Sequence, residues 1–152
     1  MISQWFNKSY KIHEIPTPES RGPHDILLKV AVNSLCHTDG VVSASIMGTK
    51  LPCIGSHEGA GTVVRLGSSV TAFKTGDRPL AGLPQNRCDH CPDCLRDEKY
   101  QQYCPNLAGQ VGITLDGAFA EHMIVDGCES SRIPDEVSFE KVAPLACAGC
   151  TV

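Results

Sequence analysis

Cys36, His57, Glu58 and Cys147 carry the donor atoms that a catalytic zinc ion takes: thiolate sulfur, imidazole nitrogen and carboxylate oxygen. A catalytic zinc keeps three protein ligands and leaves a fourth position for water or substrate, so two cysteines and one histidine would leave that position open. A second group is more compact. Cys88, Cys91 and Cys94 are separated by two residues each, and nine more intervene before Cys104. Two overlapping C-x2-C steps let sulfurs of one tight loop converge on a tetrahedral metal, with zinc–sulfur distances of about 2.3 Å. Four thiolates make a closed site, whose role would be to hold the loop 83–106, a stretch with little apolar content to order it. His90 lies inside the cluster and could replace a sulfur, but four cysteines need no help.

Each of these residues also has a plainer use. Cysteine is commonly a buried, inert thiol. His57 could be a core histidine with Glu58 its surface neighbour, and the cluster at 88–104 could be reduced surface thiols. Cys53, Cys128 and Cys150 match no ligand position, and His13, His24 and His122 lack partners at ligand spacing, so these are read as packing or incidental residues.

The elements that must position the donors are short strands. Gly and Pro are frequent (14 and 10) and spread throughout, and apolar residues recur in short alternating runs, which favours a β-rich domain with many turns. The clearest strand is 25–33, where Ile26, Leu28, Val30 and Val32 share one face by the period of two, entered through the turn Gly22-Pro23. Further strands are expected over 61–66 and over 118–125, after the turn Asp116-Gly117. Pro79, just past Gly76-Asp77, predicts a segment that is an edge or leaves the sheet early. Short helices are expected near 92–100, after Thr38, and over 138–142 with Ser138 as its cap and Pro144 limiting it. The sum is one domain, 1–152, mainly β, an irregular barrel or curled sheet. Cys36 then follows one strand directly, and His57 and Glu58 precede the next.

Composition narrows the function classes. The 152 residues are enough for one domain with its own core, and a net charge of −4 without a basic run speaks against a nucleic-acid partner. Residues 1–8 lack the pattern of a secretion signal, and no run approaches the ~20 apolar residues of a membrane span, so a soluble cytoplasmic protein is expected. Nine cysteines, an odd number, agree with thiols kept reduced and used for metal.

The run Gly55-Ser56-His57-Glu58-Gly59-Ala60-Gly61 with Gly67 and Val70 resembles the signature of the zinc-dependent medium-chain alcohol dehydrogenases. Cys36-His37-Thr38-Asp39, Gly76-Asp77-Arg78, the cysteine cluster, Asp116-Gly117-Ala118-Phe119-Ala120-Glu121 and Ala143-Pro144-Leu145-Ala146-Cys147-Ala148-Gly149 agree with it, in the family's order and over nearly the whole chain. The resemblance implies a GroES-like irregular β-barrel acting on the substrate side of an oxidoreductase. It implies a catalytic zinc held by Cys36, His57 and Cys147, with Glu58 an alternate ligand, and a structural zinc at Cys88, Cys91, Cys94 and Cys104. Thr38 would relay the substrate's hydroxyl proton, Asp39 would orient His57 from behind, and His37 would contact the pyrophosphate of NAD(P). The partners implied are a small alcohol or aldehyde, with a homo-oligomer left open. Zinc lowers the pKa of bound water from about 15.7 to about 7, and an alcohol in its place should be acidified likewise. A Thr38 hydroxyl both donates and accepts, as a relay requires, although a helix cap at Thr38 and a first-turn carboxylate at Asp39 are the plainer alternatives.

Some positions depart from the family's pattern. The stretch between Cys94 and Cys104 is two residues longer than usual, and Ser56 stands where a Gly normally precedes the His-Glu pair, which matters only if the backbone there needs positive φ. Ala44, between Ser43 and Ser45, replaces the relay histidine of yeast-like members, and the aromatic residue that narrows an ethanol pocket is missing, which points to a different or larger substrate. No Gly-x-Gly-x-x-Gly unit is present, so the dinucleotide-binding half is expected to be absent and the chain, as a fragment or truncated product, not competent alone. The competing expectations are a stand-alone zinc lyase, isomerase or hydrolase without nicotinamide, and a non-catalytic interaction domain on the same fold.

Overall fold

A computed structural model describes residues 10–19 and 22–151; residues 1–8, read above for a leader, lie outside the described residues. The chain order is β1 (Asp25–Asn33), α1 (His37–Ser43), β2 (Gly59–Leu66), β3 (Pro79–Leu80), β4 (Pro84–Gln85), a 3-10 segment Glu98–Tyr103, β5 (Gly109–Gln110), β6 (His122–Asp126), β7 (Ser131–Arg132), α2 (Phe139–Val142), a second 3-10 segment Ala143–Ala146, and α3 (Ala148–Thr151). The protein is mainly β with short helices. Five strands form one antiparallel sheet in the order β6-β1-β2-β3-β7, and β4 and β5 form a separate ribbon at the base of the cysteine loop. No helix among the described residues is long and apolar enough to cross a membrane.

Two apolar clusters flank the central strands. Ile26, Leu28, Val63, Val111, Ala118, Met123 and Val125 make the larger, with Val30 packed against it. Ala60, Ile133, Val142 and Ala143 make the smaller, joined by Val32 and Leu80. Val32 therefore leaves the face it was expected to share with Ile26, Leu28 and Val30. The cause is a bulge: Val30 pairs with Gly61 and Val32 with Ala60, so Ala31 has no partner on β2 and the side chains beyond it change sides. That change lets β1 and β2 receive the α2 segment on the smaller cluster.

Other expectations shift by a few residues, each with a cause in pairing. The strand expected over 118–125 begins only at His122, because the N–H groups of Ala118 and Phe119 are used on the carbonyls of Ser56 and Gly55 (2.7 and 3.1 Å) and not on a strand. Pro79 is not at an edge, since β3 lies between β2 and β7, but the strand is two residues long and ends early as expected. The helix expected near 92–100 is a turn followed by the 3-10 segment Glu98–Tyr103. Ser138 takes the cap position of α2 without a side-chain capping bond, and the chain runs on past Pro144 as a 3-10 segment, since proline offers no N–H for the α ladder.

Gly117 fixes the turn behind the predicted site. Its N–H donates to the carbonyl of Ile54 at 2.8 Å, and a Cβ there would lie 2.1 Å from the Ser56 carbonyl oxygen and 2.6 Å from the Cα of Gly112. Neither obstacle is the tip of a flexible side chain. Gly117→Ala is expected to lower stability by about 1–3 kcal/mol through overpacking, read as a lower urea midpoint at unchanged slope; an unaltered midpoint would contradict this close approach.

Candidate metal centres

The antiparallel register brings the end of β1 beside the start of β2. Asn33 pairs with Gly59, and the ladder runs one step further, from the N–H of Ser34 to the carbonyl of Glu58 at 3.1 Å. Cys36 and His57 thus leave the sheet at the same edge. They are locked by Asp39, in the first turn of α1 and fully buried, whose carboxylate accepts the N–H of Cys36 at 2.9 Å and the N–H of Ser56 at 2.8 Å. Charge-assisted bonds of this kind are about twice as strong as neutral ones. Cys147 arrives from the far end of the described chain. Val142 and Ala143 pack on Ala60, and the 3-10 segment ends at Cys147.

The sulfurs of Cys36 and Cys147, 111 positions apart in sequence, lie 4.0 Å apart, and one donor atom from each of Cys36, His57, Glu58 and Cys147 falls within 4.8 Å of the others. A tetrahedron with 2.3 Å metal–sulfur bonds has sulfurs about 3.8 Å apart. Both ring nitrogens of His57 are buried without a hydrogen-bond partner among the described residues, a cost of about 1–3 kcal/mol for each orphaned group. Burial raises the Cys147 thiol to about 11, and the charges of Cys36, Glu58 and Asp39 push the same way. A buried histidine and glutamate flanked by two half-buried thiols, the imidazole having no hydrogen-bond partner among the described residues, fit a divalent cation.

The residues singled out in the sequence separate here. Thr38 stands at the rim, its Oγ1 3.5 Å from the Cys36 sulfur, and His37 is exposed at the start of α1. Asp39 makes no hydrogen bond to the His57 ring it was expected to orient; its two oxygens accept the two backbone N–H groups, so it positions the loops that carry the donors. Ser56 has φ +66°, so the departure from Gly at this position does place a side chain in the left-handed region. Its N–H goes to Asp39, its carbonyl accepts from Ala118, and its hydroxyl donates to the Ser34 carbonyl at 3.1 Å. Two residues went unnoticed in the sequence. Ser34 donates to the Glu58 carboxylate, and Tyr10 donates to the Asp39 carbonyl at 3.3 Å while meeting Phe119 edge-on at 5.8 Å. Strand register, which composition does not encode, would have found Ser34, and only the tertiary docking of the segment before β1 would have found Tyr10.

Cys88, Cys91, Cys94 and Cys104 form the second set, again with donor atoms within 4.8 Å. Sulfur separations of 3.6 Å (Cys88–Cys104), 3.8 Å (Cys91–Cys104) and 4.0 Å (Cys88–Cys94) match the tetrahedral edge and are far from the roughly 2.05 Å of a disulfide; all nine cysteines are free thiols. The backbone N–H of His90 lowers the Cys88 thiol to about 6, with help from the Asn106 amide, while burial and the neighbouring sulfurs raise Cys94 to about 12. The His90 ring is exposed and turned to the Cys88 carbonyl. The loop is tied down by Arg87, whose guanidinium bonds Glu129 and Asp89 at 2.9 Å each, and by the N–H of Asn86 on Asp126 at 3.0 Å. Cys53 faces the carbonyls of Ile54 and Leu115, Cys128 the ring of His24, and Cys150 the carbonyl of Leu145, all outside both donor sets.

Two outcomes follow from this geometry. Ser56→Gly and Ser56→Ala both lose the hydroxyl, but only alanine keeps a Cβ at positive φ, so the glycine variant should be the more stable by about 1 kcal/mol in chemical denaturation; equal stabilities would contradict the strain. Zinc competes with protons for the four-sulfur set. Cys88 is a thiolate above about pH 6 whereas Cys94 must release its proton to metal. Zinc affinity, read by competition with a chromophoric chelator, should rise from pH 6 towards pH 9 and fall more steeply below pH 6, where Cys88 is protonated too; a flat profile would contradict it.

The alcohol dehydrogenase GroES-like domain family matches residues 22–135. An alcohol dehydrogenase of Schizosaccharomyces pombe is 34% identical over 146 residues, covering 95% of this chain and 41% of that protein. The alcohol dehydrogenase of Aeropyrum pernix superposes with a TM-score of 0.82 at 28% identity, over 96% of this chain and 43% of that one. A protein of Sinorhizobium meliloti 1021, described as a zinc-binding dehydrogenase and bound to NADP, superposes at 0.71 with 32% identity, over 86% and 36%. The chain thus spans about two fifths of the length of these relatives. With its fold and both donor sets in place, the chain belongs to the zinc-dependent medium-chain alcohol dehydrogenase family and carries that family's GroES-like domain.

Proposed function

We propose that these 152 residues act as one unit, the substrate-side domain of a zinc-dependent alcohol dehydrogenase, with one catalytic and one structural zinc. The observation that carries the reading is the meeting of Cys36, His57, Glu58 and Cys147 around an imidazole that has no hydrogen-bond partner among the described residues. Cys36, His57 and Cys147 would hold the catalytic ion, and Cys88, Cys91, Cys94 and Cys104 the structural one, bracing the loop 83–106. Zinc, when bound, supplies Lewis-acid polarisation that acidifies an alcohol hydroxyl.

The chain's own residues do the rest. Asp39 holds the backbone of Cys36 and Ser56 so that sulfur and imidazole face one point. Thr38, at the rim and able both to donate and to accept, takes the substrate's hydroxyl proton and passes it outward. His37, exposed at the start of α1, would contact the pyrophosphate of NAD(P) once a nucleotide-binding half is supplied, because these residues contain no Gly-x-Gly-x-x-Gly turn. The substrate is a small alcohol or its aldehyde. Nine free thiols suit a reducing, cytoplasmic setting.

Elemental analysis of the purified chain tests this reading. It should give two zinc ions per chain; Cys36→Ala should lose one and keep its melting transition, while Cys91→Ala should lose the other and melt markedly lower. One zinc in the unaltered chain, or equal losses of stability in the two variants, would contradict two distinct sites.

A further inference from the structure

Ser34 is the first residue beyond β1, and the function proposed above gives its bond to Glu58 no role. Its N–H donates to the Glu58 carbonyl at 3.1 Å, and its Oγ donates to Oε2 of the same residue at 2.5 Å. The other carboxylate oxygen, Oε1, accepts the N–H of Ala148 at 2.8 Å. Glu58 is only 1% exposed, so both oxygens of a buried carboxylate are engaged by neutral donors, one from each side of the donor cluster. Ser34 is itself held in place by the Ser56 hydroxyl on its carbonyl at 3.1 Å.

We infer that Ser34 is the positioning residue that keeps the Glu58 carboxylate in reserve beside the metal position, leaving the fourth coordination place to an incoming ligand. The inference rests on the metal reading proposed above. A fourth donor from the protein and a ligand from solution compete for one place. To take it, Glu58 must give up or weaken a short hydroxyl-to-carboxylate bond, and bonds of this type are among the strong ones. Without the Ser34 hydroxyl, Oε2 is left bare in a buried site, where an unpaired charged group is costly, and the metal becomes its available partner. The Ala148 amide alone leaves that oxygen free to swing. The hydroxyl therefore sets the balance between a closed and an open site.

Cobalt(II) in place of zinc makes the balance visible in the full chain, with imidazole as the incoming ligand. Imidazole entering an open position changes the cobalt absorption bands, and the four-sulfur site, being closed, contributes no such change. The unaltered chain should bind imidazole through this change. Ser34→Ala should bind it about tenfold more weakly, and its bands should already be shifted before imidazole is added. The isosteric pair Ser34→Thr and Ser34→Val separates hydroxyl from bulk: the Thr variant should behave like the unaltered chain and the Val variant like Ser34→Ala. Equal imidazole affinity in all four proteins would overturn the inference and leave the metal reading standing. Failure of a second cobalt to bind at all would overturn the metal reading, and the inference with it.

Discussion

The carboxylate of Asp39 is the hinge of the structure. It is fully buried, and it accepts one backbone N–H from each of the two loops that carry Cys36 and His57. No covalent link joins those loops, and the sheet alone aligns them only as far as Ser34 and Glu58. The carboxylate closes the remaining gap. Its oxygens bond the backbone and not the imidazole, whose two nitrogens have no hydrogen-bond partner among the described residues. The same bond explains why Ser56 tolerates positive φ. Its N–H, carbonyl and hydroxyl are all engaged, and a residue over-determined in this way can persist in a conformation that would otherwise relax.

The two apolar clusters serve that arrangement from opposite sides. The larger steadies β1 and β2 as a platform, while the smaller draws the α2 segment onto Ala60 and so delivers Cys147 to the edge where Cys36 and His57 emerge. The bulge at Ala31 makes both possible at once, since without it Val32 would point into the larger cluster. A register detail of one residue is thus tied to the position of a donor far away in sequence.

Local spacing was legible in the sequence, and long-range pairing was not. The four cysteines at 88–104 advertise themselves because their geometry is set within one loop, and β1 is plain from its alternation over Asp25–Asn33. The segment 118–121 has the alternation of a strand, but the N–H groups of Ala118 and Phe119 are taken by the loop before His57, and it meets β1 only at Glu121, whose carbonyl accepts the N–H of Val30. Asp39 reads as an ordinary first-turn carboxylate, and Ser34 as an ordinary polar residue after a strand. What gives each its place is a backbone group or carboxylate 17 or 24 positions away. Tyr10, 29 positions from the carbonyl it meets, is hidden for the same reason.

The span of each donor set along the chain also fixes when it can form. Cys88 and Cys104 are 16 positions apart, Cys36 and Cys147 are 111. Closing the longer loop from a flexible chain costs about 1.7 kcal/mol more in entropy on a logarithmic scale of loop length. The four sulfurs can gather while the rest of the chain is still loose, whereas the mixed set exists only after β1, β2 and the α2 segment have docked. A nascent or misfolded chain can then gather the four-sulfur set while the mixed set is still unmade, so that the two donor sets mark different stages of folding.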